Sequence, residues 1–490
     1  MATMSTAIQS TVEERLSEGV RDSLPRLDPF WKMFHDTYIG VSRDQIGKNW
    51  KAIHTFSESL HGAFKWVDVA GSAVDSTILT HSHIPSAVRE YPGIEDTTMP
   101  GYFTMTITLA EGLGNLFVPQ QYLRADQLDP AIGDTVGDLI RGCAQLTALQ
   151  DIAAFYHTQT ASTTLAETGV ILGRVGDASP TNDATSITLG IKGAVNQFYN
   201  GQHVEIRSDT TPWATRHSTC QVVVDSVKYV PESTDEGYGE VTFKTKDGVT
   251  TFSGVVTDDM IIQQDSIGHG PHGPDHWLSI ANTDCYGIDL TARKQFHSIV
   301  KASVGDLDET SLNQYFARAW KAYGTLNFPD AVLTSMGVTT ALLDTSYGLA
   351  NRFNRDLGER NVLKMGFDEP GPGAYMFNGI PIKWFVSPYM PSDSDMSGTQ
   401  NGGRLWAMKT RDNNIRRYLA PPLPGSKRHA QFGSEVEFVL GGRGPEGIFK
   451  AYHSTTGRST EWREAPFNRH VEYAPAYLPG INLSGITEIL

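Results

Sequence analysis

One segment limits the choice of fold more than any other: residues 129–158, DPAIGDTVGDLIRGCAQLTALQDIAAFYHT. Ile132, Val136, Leu139, Cys143, Leu146, Leu149, Ala153 and Tyr156 recur at every third or fourth position, which puts them on one face of a helix. Asp129 suits the N-cap and Pro130 the first turn. At ~1.5 Å per residue such a helix would be about 40 Å long, well beyond the three turns usual in a compact domain. A helix of that length spans or braces something. For this segment alone, a central helix in an α+β enzyme is the plainer reading.

Beyond this helix the chain reads mainly as strands. It has 490 residues, with 47 glycines and 25 prolines, a composition suited to many turns and short strands. Net charge is −15, which argues against nucleic-acid binding as the main role, since phosphate contacts need clustered Lys and Arg. It leaves room for DNA as a neighbour that is merely enclosed. Cys143, Cys220 and Cys285 are odd in number and far apart, so neither a disulfide framework nor a CxxC metal site is expected. The N-terminus lacks a basic-then-apolar signal pattern, and no apolar run reaches the ~18 residues of a membrane span. Synthesis in a reducing cytoplasm is the expected setting.

Residues 1–48 read as an arm. Val12, Leu16, Val20 and Leu24 form the apolar stripe of a short helix that Pro25 is expected to end, and a one-sided stripe needs a partner surface. In GYFTMTITLAEG, Phe103, Met105, Ile107 and Leu109 alternate with threonines, the period of a strand. Two strand-like arms separated by a long low-charge stretch predict a hairpin or projecting loop over 49–118, and a loop of that length usually has a function. TGVILGRVGD and TSITLGIKG read as short strands. HVEIR, CQVVVDSVKYV, GEVTFKTKDG and DDMIIQQD then predict a small antiparallel barrel or sandwich inserted at 196–268. Leu312, Tyr315, Phe316, Ala319, Ala322 and Tyr323 mark one face of a helix stopped by Gly324. PDAVLTS, IPIKWFV, RLWAMKT, EVEFVL and GIFKAYH are further strands, and GVTTALLDTSY a short helix.

No motif for chemistry stands out. GxSxG, HExxH and the phosphate loop are absent from the sequence. His269, His272, Asp275 and His276 could ligate a metal, but their Gly/Pro-rich setting reads as a solvated loop. Arg411, Arg416, Arg417, Lys427 and Arg428 surround a PPLP turn and read as a solvated or subunit-facing surface. No catalytic, cofactor or metal residues are assigned.

Taken in order, these blocks resemble a known family. They are the amphipathic arm, the hairpin around 49–118, the helix ending QDIAAFYHTQ, YGIDLTARKQFHSIV and the helix after it, FPDAVLTSMGVTTALLD, FNGIPIKWFVSPYM, and GGRLWAMKTRDNNIRRYLAPP. The chain resembles the major capsid proteins of tailed phages, which have the Hong Kong 97-type fold. The resemblance implies an α+β subunit of an icosahedral shell without a catalytic site. Its parts would be an N-terminal arm (1–48), an extended loop (49–118), a peripheral domain with the spine helix (119–195), the inserted β-rich domain (196–268), more of the peripheral domain (269–330), an axial domain (331–430) and a return segment (431–490). Contacts between subunits are expected at Val12, Leu16 and Val20 on the arm and at Phe103, Met105, Ile107 and Leu109 on the hairpin.

Expected partners are many copies of the chain itself in hexamers and pentamers, a separate scaffolding protein, a portal and decoration proteins. DNA is enclosed without sequence-specific binding, no cofactor or membrane is involved, and assembly takes place in the host cytoplasm, giving a virion protein. Some relatives join subunits covalently through a lysine of the extended loop. Residues 67–100 contain no lysine here, so a non-covalent shell is expected. Two other readings remain open: a different virion part such as a tail or portal component, or a β-rich carbohydrate-active hydrolase, which would need two carboxylates across a cleft.

Overall fold

The computed structural model describes residues 2–39, 51–57, 102–119, 135–160, 168–177, 180, 184–193, 195–209, 216, 222–229, 239–342, 344, 373–377, 380–392, 402–420, 437–438, 450–452 and 462–488. Helix α1 (Ala2–Leu27) and a 3-10 turn (Pro29–Met33) lead into β1 (His35–Tyr38). Strands β2 (Lys51–Ser57), β3 (Tyr102–Thr108) and β4 (Ala110–Pro119) precede α2 (Thr135–His157) and β5 (Thr158–Thr160). Then come β6 (Thr168–Val175), β7 (Ser186–Lys192), β8 (His203–Arg207), β9 (Val222–Lys228), β10 (Gly239–Thr245) and β11 (Met260–Gln263). After β12 (Ile299–Lys301) and α3 (Glu309–Tyr323) the chain forms β13 (Ala331–Thr334), β14 (Gly373–Phe377), β15 (Ile380–Val386), β16 (Gly403–Met408) and β17 (Ile415–Leu419). The tail supplies β18 (Glu437–Phe438), β19 (Lys450–Tyr452), β20 (Trp462–Pro475) and β21 (Ile481–Ile486).

The spine helix forms, but the face it buries lies about one position round from the expected stripe. Ile140, Ala144, Ala148 and Ile152 are buried, whereas Leu146 is 39% exposed and Leu139, Cys143 and Leu149 are partly covered. The partner explains the choice. α1 packs along α2, and a Cβ built on Gly19 would lie 2.8 Å from the Cβ of Ala144. Small residues let the two backbones approach closely, and the larger leucines could not fit there. From Asp151 to Thr158 the chain is buried on every side. Asp129 and Pro130 lie outside the described residues.

The arm helix is longer than expected and is not ended by Pro25. A proline in the last turn removes a single backbone hydrogen bond, and the Asp28 amide still donates to the Leu24 carbonyl at 3.0 Å. Asp28 then caps the 3-10 turn by accepting from the Phe30 amide. This turn drives Phe30 and Trp31 into an aromatic hub with Phe34, Phe155 and Tyr473, with ring centroids 4.6–5.9 Å apart.

Three sheets surround this core. In the first, β20 runs through the middle, pairing with β4, β17, β18 and β19, while β1 joins β17 in parallel. The second closes on itself in the order β6-β7-β10-β9-β8-β11 and back to β6, every pair antiparallel. Alternating inward residues fill it, among them Leu172, Leu189, Val204, Ile206, Val241 and Phe243. This barrel begins at Thr168, before the expected boundary at 196, because the two glycine-bearing segments TGVILGRVGD and TSITLGIKG supply its first strands.

The third sheet has the order β12-β21-β16-β13-β15-β14 and is backed by α3. Asp308 caps α3 by accepting from the Ser311 amide at 2.7 Å, and Gly324 ends it at φ +68°. On the face read from the sequence, Leu312, Phe316 and Ala319 are buried and Ala322 is exposed. The expected axial segment 331–430 is therefore not self-contained: its sheet also takes β12 and β21 from either side. None of the described helices is long and apolar enough to cross a membrane.

Candidate assembly interface

β2 and β3 pair as an antiparallel ribbon, with Ala52 opposite Ile107, Ile53 opposite Thr106 and His54 opposite Met105. Residues directly opposite one another share a face, so the ribbon has two unlike sides. On one, Met105 and Ile107 are fully buried in the main core, and His54 Nε2 lies 2.7 Å from the Tyr418 hydroxyl. On the other, Ile53 is 62% exposed and Thr104 is exposed. No third strand joins the ribbon among the described residues.

This geometry revises the expected contact residues. Leu16 and Val20 are buried against α2, and Met105, Ile107 and Leu109 are buried in the same intrachain core. The neighbour that covers these five side chains is the chain's own tail, spine helix and aromatic hub. The side chains of Val12 and Phe103, and the hairpin over 58–101, lie outside the described residues. Reading the sequence missed Ile53, which sits in KAIHTFS, a run with too few apolar residues to signal a strand. It also missed the DPFW segment at 28–31, although its Asp-Pro cap followed by two aromatics is a usable signal.

Buried polar groups join the parts. The spine helix is tied to β20 by a bidentate Arg469–Asp151 ion pair, both residues almost fully buried. Asp28 accepts hydrogen bonds from the Tyr156 hydroxyl and, at 3.2 Å, from the Ser387 hydroxyl, linking arm, spine helix and the third sheet. Burial pushes the Asp28 carboxyl above its ordinary value.

Of the four candidate metal ligands only His269 is exposed, and from His272 onward the segment is packed into the molecule. His276 is buried with its ring centroid 4.3 Å from that of His272, the two rings tilted by 36°, and Glu472 on β20 accepts from the His272 amide at 2.8 Å and the Tyr286 hydroxyl at 3.2 Å. Asp275 pairs instead with Arg404 at 3.0 Å. The close fit has a backbone cause: a Cβ on Gly273 would fall 2.0 Å from the Phe155 carbonyl oxygen. Among the described residues no group of three His, Cys, Asp or Glu side chains is placed to hold a metal ion. The basic run divides as well. Arg417 is buried in a bidentate pair with Asp36 at 2.8 and 2.9 Å, Arg411 reaches Asp330 at 3.4 Å, and Lys427 and Arg428 lie outside the described residues.

A cleft of about 420 Å³ opens between the barrel, α2 and β20. Glu111, Asp151 and Asp265 line it, and of these Asp151 is paired with Arg469. Cys143 is partly covered and Cys285 buried, and burial raises the pKa of both thiols.

His157, fully buried at the end of α2, is held by desolvation at a pKa of about 4, against 6.5 for a free histidine. The unfolded chain therefore binds this proton more readily. Stability from His157 is complete above pH 6.5 and is lost as pH falls towards 4, about 3 kcal/mol in all. Burial shifts His276 the same way, whereas the raised Asp28 acts in the opposite direction and favours the folded chain in acid. Urea unfolding followed from pH 7 to pH 4 is expected to show a steep loss of stability, shallower in a His157→Gln variant.

No family model matches the sequence, and no curated protein matches it. Solved structures do. The chain is similar to the capsid asymmetric unit of cyanophage A-1(L), at 10% identity and a TM-score of 0.41, over 94% of this chain and 93% of that one. It is similar to the cyanophage Pam1 capsid asymmetric unit at 10% identity and a TM-score of 0.37, with the same two coverages. A third match is the capsid of a native GTA particle, at 8% identity and a TM-score of 0.33 over 94% and 90% of the two chains. These three solved chains, each matched along nearly its whole length, come from capsids.

Proposed function

We propose that the chain is a structural capsid subunit whose copies assemble, as hexamers and pentamers, into an icosahedral head shell enclosing phage DNA. The observation that carries this reading is the β2–β3 ribbon. A two-stranded ribbon is marginal by itself. This one is anchored on one face by Met105 and Ile107 and presents Ile53 and Thr104 on the other. An uncovered ribbon face fits a subunit completed by a neighbouring copy, each contact adding roughly 25 cal/mol per Å² of apolar area removed from water. The order of sequence blocks supports the same reading. The role is structural, with no reaction to catalyse, and a scaffolding protein, a portal and decoration proteins are its further partners.

The shell is held together non-covalently. Negative-stain microscopy of the expressed chain is expected to show shells or tubes. Rings would favour a portal or tail component, and single globules at all concentrations would remove the proposal. Particles denatured on a gel should run as one band near 53.7 kDa, and a ladder of heavier bands would overturn the non-covalent assignment.

A further inference from the structure

The cleft between the barrel, α2 and β20, at about 420 Å³, falls within the roughly 300–1,000 Å³ of small-molecule sites. Its inner wall is held in place by hydrogen bonds. Gln202, just before β8, lines the cleft and is 3% exposed. The Tyr199 amide donates to its Oε1 at 3.3 Å, which fixes the side chain and leaves Nε2 to face the cleft. That nitrogen has no acceptor among the described residues. So well buried an amide without its acceptor is uncommon in folded proteins. Gln150 on α2 donates from Nε2 to the Tyr199 hydroxyl at 2.6 Å. The hydroxyl therefore keeps a proton to give, and Gln150 keeps a carbonyl oxygen to receive one.

The wall thus presents donors and acceptors that carry no charge. No lysine lines the cleft, and its guanidinium, Arg469, is committed to Asp151, so an anion would find no counter-charge there. The barrel strands that border it, β8 and β11, are each paired on both sides, which leaves no strand edge for a peptide backbone to join. A hydroxyl group both donates and accepts, and so suits such a wall. From this geometry we infer that the cleft binds a neutral saccharide, its hydroxyls bonded to Gln150, Tyr199 and Gln202. Asp265, exposed at the rim, accepts from a further hydroxyl. The site is complete within a single chain, so the inference does not depend on the shell reading.

The test uses the full-length chain, unassembled and at neutral pH. Saturation-transfer NMR is run with D-glucose, D-galactose, N-acetyl-D-glucosamine and maltose as probes, and with glycerol as a control that has hydroxyls but no ring. At least one of the sugars is expected to receive saturation and to bind with a Kd on the order of 1 mM. Gln202→Leu, which keeps the bulk but removes the amide, should weaken that sugar at least about tenfold. Tyr199→Phe is expected to cost about threefold to tenfold. Should Gln202→Leu fail to fold, the surface variant Asp265→Ala, expected to lose about threefold or more, carries the test.

The inference is overturned if none of the sugars receives saturation, if glycerol receives as much, or if a folded Gln202→Leu or Asp265→Ala chain binds like the parent. Displacement of the bound sugar by an acetylated, amidated Gly-Lys-Gly peptide at lower concentration would reassign the cleft to a polypeptide and overturn it as well.

Discussion

Replacing Arg469 with methionine is expected to destabilise the subunit by about 3–5 kcal/mol, because the partner carboxylate is left buried without its cation. Both members of the Arg469–Asp151 pair are almost completely removed from water. The pair joins the C-terminal part of the spine helix to the longest of the described strands, so its loss uncouples these two elements. A folded domain has only about 5–15 kcal/mol to spare, and urea unfolding should show the midpoint fall accordingly. Changing both partners, Arg469→Met with Asp151→Leu, is expected to recover much of the loss, since two apolar side chains need neither desolvation nor pairing. If the single and double variants were equally unstable, packing of the Arg469 stem, and not the ion pair, would be holding helix and strand together.

Ile53→Asp and Met105→Asp are expected to fail in different ways, and the contrast separates folding from assembly. Met105 is fully buried, and a carboxylate there costs on the order of 4–5 kcal/mol through lost packing and desolvation. Its product should be unfolded or insoluble, which says nothing about shells. Ile53, on the opposite side of the same ribbon, is mostly exposed. Aspartate at that position should change subunit stability by about 1 kcal/mol or less, yet a charge in a face that a neighbouring copy must cover should abolish particles seen by microscopy. Normal particle yield from folded Ile53→Asp protein would remove the outer ribbon face from the interface.

The elements themselves were largely readable. Met105, Ile107 and Leu109 alternate with threonines, and the pleat sends them inward as that period requires. Gly324 stops α3 because a residue at positive φ was needed there. The side of α2 that would be buried was harder to read, because two apolar faces lie next to each other. Leu139, Cys143 and Leu146 form the more hydrophobic one, but close contact with Gly19 selects Ala144 and Ala148. The start of the barrel was missed for a related reason. Its closure depends on β6 meeting β11, a pairing between segments distant in sequence. The histidine segment looked solvated because glycine and proline usually mean surface, and its acceptor, Glu472, is supplied 200 residues later.

Local periodicity showed that α1, α2, β3 and the barrel strands each have a face that must be covered, and that requirement is present in the residues alone. It could not say what provides the cover. The arm stripe at Leu16 and Val20 and the ribbon residues Met105 and Ile107 satisfy the same apolar pattern whether the covering surface belongs to a neighbouring molecule or to a distant part of one chain. Hydrophobic burial is non-directional, so only long-range contacts, with β20 and the aromatic hub closing over these faces, place them inside the subunit and leave Ile53 on the outside.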